Sequence, residues 1–330
     1  MKLKLFVIAI FFGSATHAQN CSQEVLAQKP GEWKASTLKT YTPGVSASDL
    51  TLEKAVLANI QKMIASGYAP KGCQASYSYS FSGTDLGAGK NWVADHYTFS
   101  LYILRYLCDP GSGDRSKFYV DAATPTNVKI TANAIYNLSS LFAAELPDDE
   151  LRGYLKLPSM PVKKDGVYYM GEAIVGQRFE KNKIVQHSWL VTYADTLPFV
   201  PLTRKEYLIL TKARLEKTMK EDPGSKDYYD PFMNQINAYL KKPAPDLSMP
   251  AICLWNDEER FNGFVEEGTP NSFIAVKPNM AYYHRNLKKS SPQFFYVEYT
   301  LSQGDPVFEE TIPAVMKAID FAKLKSMLGK

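Results

Sequence analysis

Residues 73–82 read Cys-Gln-Ala-Ser-Tyr-Ser-Tyr-Ser-Phe-Ser, and from Ser76 to Phe81 hydroxyl and aromatic side chains alternate without a break. A period of two belongs to a half-buried strand, with Tyr77, Tyr79 and Phe81 on one face and Ser76, Ser78 and Ser80 on the other. Beyond a glycine-rich stretch, Tyr97 to Leu107 reads as a second, more apolar strand, so the two form an antiparallel hairpin. A turn centred near Lys90-Asn91 sets Cys73 opposite Cys108, Ala75 opposite Tyr106, Tyr77 opposite Leu104 and Tyr79 opposite Tyr102. That register predicts a Cys73–Cys108 disulfide, which loop closure would make worth about 3–4 kcal/mol. By elimination Cys21 then pairs with Cys253.

Working outward, Val167–Phe179 and Ile184–Tyr193 flank the polar turn Glu180-Lys181-Asn182-Lys183 and predict a second hairpin. Leu52, Val56, Ile60 and Met63-Ile64 recur at helical spacing, with Ser48-Asp49 as a start and Gly67 as a stop. Thr203-Arg204-Lys205-Glu206 has the spacing of a capping box, with Leu202 and Tyr207 placed as a hydrophobic staple. A second helix is expected from Asp230-Pro231, carrying Phe232-Met233, Ile236 and Tyr239-Leu240 on one face. Ala251–Trp255, Phe273–Lys277 and Phe294–Leu301 read as strands, and Asp320 caps a short closing helix.

Strands joined by hairpins, with helices grouped rather than alternating, predict an α+β fold. Its parts are an antiparallel sheet built from hairpins, a central helical pair and a C-terminal α+β segment. The expected divisions are a signal peptide over 1–18 and a mainly β N-terminal domain with one early helix over 19–200. A helical pair over 201–242, a Pro-rich linker over 243–250 and the C-terminal segment over 251–330 follow.

The first of these divisions predicts the compartment. Met1–Lys4 is a short basic head, Leu5–Phe12 is an apolar run too short to span a bilayer, and small residues precede Ala18. Cleavage after Ala18 would deliver a periplasmic or secreted chain with no membrane span. Of 38 basic residues, Lys2 and Lys4 leave with that leader, so 36 stand against 34 acidic ones. Such a balance, without a basic cluster, excludes nucleic acid as a partner. An apolar fraction of 45% and a charged fraction of 22% are those of a globular protein. The aromatic fraction of 13% suits a sheet protein and equally a glycan-binding face.

Motifs with chemistry are sparse. Gly83–Lys90 resembles a phosphate loop but is one residue out of register, and Asn91 stands where Ser or Thr should bind magnesium. Ser36-Thr37-Leu38-Lys39 has the Ser-x-x-Lys spacing without its Ser-Asp-Asn and Lys-Thr-Gly partners. No Gly-x-Ser-x-Gly occurs. No catalytic residue, metal ligand or cofactor is assigned. Trp92 and His96, beside the glycine-rich loop, are the candidate ligand-binding residues, since exposed indoles stack on sugar faces. Trp33 is the other tryptophan expected to be exposed, whereas Trp189 and Trp255, in strands, are expected in the core.

The resulting expectation is an exported, non-catalytic binding or interaction protein whose ligand is a glycan or another envelope or extracellular protein. The rival is an exported hydrolase with dispersed catalytic residues, using carboxylates or a site assembled from Asp95, His96 and His187. A structural partner in an envelope complex is the third.

Overall fold

The computed structural model describes residues 21–37, 44–82, 94–112, 117–134, 144–145, 154–178, 182–193, 195–255 and 260–330. The expected leader, the glycine-rich stretch with Trp92, and Glu180-Lys181 of the expected second turn lie outside these residues. In chain order the strands begin with β1 (Glu32–Ala35), β2 (Cys73–Ser82), β3 (His96–Cys108), β4 (Phe118–Val120) and β5 (Asn127–Ala132). They continue with β6 (Ala144–Glu145), β7 (Tyr154–Leu157), β8 (Val162–Lys164), β9 (Val167–Arg178) and β10 (Asn182–Val191). The last are β11 (Phe199–Pro201), β12 (Ile252–Leu254), β13 (Ser272–Pro278) and β14 (Phe295–Ser302). The helices are α1 (Gln23–Gln28), α2 (Ala47–Gly67), α3 (Arg204–Glu221), α4 (Lys226–Tyr239), α5 (Ala244–Ser248), α6 (Pro306–Ala318) and α7 (Phe321–Met327).

The fold is α+β. Among the described residues a nine-stranded sheet runs β1-β2-β3-β5-β14-β10-β9-β8, with β4 pairing on β3. A five-stranded sheet runs β11-β13-β7-β6, with β12 also on β13. Among the described strands only β1 pairs in parallel, with β2. Side-chain alternation stacks these sheets into four layers. On the large sheet Tyr97, Phe99, Leu101, Val128, Ile130, Phe295 and Val297 pack under Leu57, Ile60 and Ile64 of α2 and Phe308 and Ile312 of α6. On its other face Leu190, Tyr296 and Met170 meet Leu155, Leu157, Ile274 and Val276 of the small sheet. The alternate residues of those small-sheet strands, Tyr154, Phe273 and Ala275, pack on Tyr207, Leu208 and Leu215 of α3 and Ile236 of α4. The order is helices, sheet, sheet, helices, with strand pleating sending neighbouring residues to different cores.

Residues 251–330 supply the strand at the centre of each sheet, β14 between β5 and β10 and β13 between β11 and β7. The Pro-rich stretch 243–250 carries α5, whose Leu247 is buried in the α3–α4 core. The capping box is present: Thr203 Oγ1 accepts from Glu206 N–H, and Thr203 N–H donates to the Glu206 carboxylate. Asp320 caps α7 as expected, while α2 is capped by Ser46, just ahead of the expected Ser48-Asp49.

The disulfide pairing differs from the expected one. Cys21 is bonded to Cys108, while Cys73 and Cys253 are buried thiols, so neither Cys73–Cys108 nor Cys21–Cys253 forms. In the first hairpin Cys73 faces Arg105, Tyr77 faces Leu101 and Tyr79 faces Phe99. The register is three residues from the expected one, and an odd slip turns every β3 side chain to the opposite face. Strand β3 is apolar on both faces, Tyr97-Phe99-Leu101-Ile103 on one and Tyr102-Leu104-Tyr106 on the other, so alternation alone does not choose. The choice is made by matching polar to polar, because Ser78 then faces Ser100 and Ser80 faces Thr98. Cys108 is left at the end of β3, the strand on which α1 packs, and Gln23 of that helix donates to the Tyr106 carbonyl. Burial pushes the Cys73 thiol up, and that of Cys253 up to about 12.

Candidate functional site

The inner face of the large sheet, the one turned toward the small sheet, is apolar at one end and polar over the rest. Across β2, β3, β5, β14 and β10 one cross-strand row reads Ser78, Ser100, Lys129, Glu298 and Ser188. The row on one side holds Ser76, Tyr102, Asn127, Thr300 and Gln186. On the other side Ser80, Thr98 and Thr131 give way to Tyr296 and Leu190, where the small sheet packs. Directly opposed residues stand about 4.5–5.5 Å apart, so these rows form a continuous polar floor. Each member is there because its strand alternates: Asn-Val-Lys-Ile-Thr-Ala in β5 and Phe-Tyr-Val-Glu-Tyr-Thr-Leu-Ser in β14.

The centre of the floor is a charged pair. Lys129 Nζ lies 3.4 Å from Glu298 Oε1, and Gln186 Nε2 donates to Oε2 of the same carboxylate. Burial pushes the Glu298 carboxyl above the usual range, against the opposing pull of Lys129 and of hydrogen bonds from Gln186 and Tyr296. The Lys129 side chain keeps 38% of its exposure, so solvent reaches this row. Thr98 and Thr131 hydroxyls bond each other at 3.0 Å. Among the described residues of this floor, two buried polar atoms have no partner, Ser188 Oγ next to Glu298 and Asn127 Oδ1 next to Thr300. Buried donors and acceptors are ordinarily satisfied, so an orphaned pair on a polar floor marks a place for a hydrogen-bonding guest.

His96, flagged from sequence, opens β3 opposite Ser82 and shares the face of Thr98 and Ser100, at the rim of this floor. Trp92 lies outside the described residues. His187 is elsewhere. It stands on the opposite face, 2.8 Å through Nδ1 from the Tyr169 hydroxyl and 3.5 Å through Nε2 from Glu172. Three strand spacings, about 14 Å, separate β3 from β10, and Tyr97 lies level with Val191, four residues beyond His187. The expected assembly of Asp95, His96 and His187 therefore does not form, because a strand's fixed alternation puts the two imidazoles on different faces. No group of three His, Cys, Asp or Glu among the described residues is placed to hold a metal ion.

The tryptophans also depart from expectation. Trp33 is half-buried, donating from Nε1 to the Tyr68 carbonyl, and Trp189 is half-buried rather than core, ringed by Tyr169, His187, Tyr299 and Phe321. Lys129, Glu298, Gln186 and Ser188 carry no motif, and one signal could have found them. Polar residues alternate with core residues in three separate strands, which reads as a solvated face until those strands are known to be neighbours. Comparison with protein-family models, curated proteins and solved structures gives no match.

Proposed function

We propose that this chain is an exported, non-catalytic binding protein that takes a hydroxyl-rich ligand, a saccharide, on the polar floor of its large sheet. The observation that carries this reading is the row Ser78–Ser100–Lys129–Glu298–Ser188, with the buried Ser188 hydroxyl unpartnered at its end. Hydroxyl, amide, ammonium and carboxylate groups stand side by side there, donors next to acceptors, with charges that cancel. A neutral polyol offers the same alternation of donors and acceptors, and Tyr102 and His96 supply rings at the margin for its apolar faces. The Cys21–Cys108 disulfide supports an oxidising compartment, and among the described residues no helix is long and apolar enough to cross a membrane.

A hydrolase reading has one observation in its favour, the raised proton affinity of Glu298, which suits a general acid. Ser188 weighs against a serine nucleophile: its hydroxyl meets no base, and an activated nucleophile needs one within hydrogen-bond reach.

A glycan array, followed by calorimetry with Lys129→Ala and Glu298→Gln, tests the proposal. Saccharide binding that falls about tenfold or more in both variants is expected, since a lost charged hydrogen bond costs about 1.5–3 kcal/mol. No glycan retained, with an envelope protein captured instead, refutes it. Turnover of a retained glycan that Glu298→Gln abolishes selects the hydrolase.

A further inference from the structure

Helix α2 buries a glutamate. Glu53 heads the stripe that continues through Leu57, Ile60 and Ile64 into the core, and it is fully buried with neither carboxylate oxygen meeting a donor. Asp95, just ahead of β3, is 3% exposed and faces it. Asp49, one turn earlier on α2, adds a third carboxylate, which Ser46 Oγ and Ser290 Oγ hold ionised through hydrogen bonds of 2.6 and 2.8 Å. From the loop ahead of β14, Lys288 faces Asp49 and Lys289 faces Asp95, while the Tyr97 ring from β3 faces both buried carboxyls. Among the described residues no cation faces Glu53 itself, so two carboxylates in a buried site have a proton to separate them.

The surrounding backbone makes this spot a junction. Asp95 N–H donates to the Lys289 carbonyl, and the Tyr97 hydroxyl donates to the Ser290 carbonyl. Asn133, at φ 62°, donates from Nδ2 to the carbonyls of Asp95 and Ser291 and accepts from Gln293 N–H. Three segments thus meet at the acidic pair: the first turns of α2, the head of β3 and loop 288–293.

We propose that Glu53 and Asp95 hold one proton between them, and that this proton is a pH-sensitive latch fastening α2 and loop 288–293 to the head of β3. Release of the proton to solvent leaves two like charges facing each other in a buried site, and the three segments loosen together. Burial, followed by the neighbouring carboxylates, pushes Glu53 up to about 8, and burial pushes Asp95 up to about 6, so release falls in the mildly alkaline range.

Amide hydrogen exchange of the whole chain between pH 6 and 9.5, corrected for intrinsic rates, reads the latch. Protection over 49–57 and 289–293 is expected to fall about tenfold or more relative to β5. It should not change with pH in Glu53→Gln, which keeps a hydrogen bond and has no proton to lose. A flat wild-type profile overturns the proposal, and so does an undiminished loss in Glu53→Gln. If that variant does not fold, Asp95→Asn carries the same expectation. Carboxyl carbon resonances of the wild-type chain give an independent reading: both groups titrating below pH 5 refutes the shared proton.

Discussion

The Tyr169 hydroxyl and Nδ1 of His187 share a hydrogen bond of 2.8 Å, while Nε2 of the same ring points to the Glu172 carboxylate 3.5 Å away. Because an ionised carboxylate only accepts, the proton is assigned to Nε2, which makes the Tyr169 hydroxyl the donor to Nδ1.

Burial lowers the proton affinity of His187 more than Glu172 raises it, so the ring is neutral at pH 7. A histidine with a depressed folded value binds fewer protons than the unfolded chain, so its contribution to stability is present above pH 6.5 and shrinks as the pH falls through the folded value. Ring nitrogen resonances should show an unprotonated Nδ1 at pH 7. Tyr169→Phe, which deletes the donor, should cost about 1 kcal/mol in urea unfolding. A charged ring at neutral pH would contradict the assignment.

Glu53 and Asp95 act with the opposite sign. Their folded values of about 8 and about 6 lie above the ordinary 4.5 and 3.8, so the native state binds the extra protons. Their contribution is complete below about pH 4 and is lost as the pH rises toward 8. Denaturation midpoints measured from pH 5 to 9 should therefore decline for the wild type and flatten for Glu53→Gln. A steeper decline in the variant would sink the assignment.

Cys21 and Cys108 close a loop of sequence separation 87, which on the chain-entropy model is worth about 4–5 kcal/mol. Cys21→Ala should lower the melting temperature and free α1 from β3. Non-reducing peptide mapping should recover Cys21 linked to Cys108, with Cys73 and Cys253 alkylated only after unfolding. A recovered Cys73–Cys108 peptide would mean that β2 and β3 pair in a different register.

Asn133 is fully buried, sits at positive φ and makes three side-chain hydrogen bonds to two other segments. Asn133→Ala strands the Asp95 and Ser291 carbonyls and the Gln293 amide, and it places a Cβ residue without a compensating bond in the left-handed region. A loss of about 2–4 kcal/mol is expected from urea unfolding. Asn133→Gly, which relieves the backbone but not the carbonyls, should recover only part of it.

Much of the local structure can be read from residue order. Ser-Tyr alternation at 76–81, the Thr203–Glu206 box and the Asp320 cap all report interactions between residues a few positions apart, and each is found where it was read. Helix α6 was not anticipated, although Asp305 caps it and Pro306 opens it. The candidate site was legible only in fragments. The serines of β2 stand on the expected strand and His96 one residue ahead of the expected second strand, whereas Lys129, Glu298 and Ser188 carry no local signal because nothing local joins β5, β14 and β10.

Side-chain periodicity was enough to establish strands, helices and their polar and apolar faces, since those depend on backbone geometry over one or two turns. Which faces meet depends on burial summed over the whole chain. Matching Ser78 and Ser80 to Ser100 and Thr98, with the apolar alternates packed beneath α2 and α6, selected the β2–β3 register, and with it sent Cys108 to Cys21 and left Cys73 in the core. The polar floor and the Glu53–Asp95 pair arise in the same way, from residues distant in sequence that become neighbours when the sheets close.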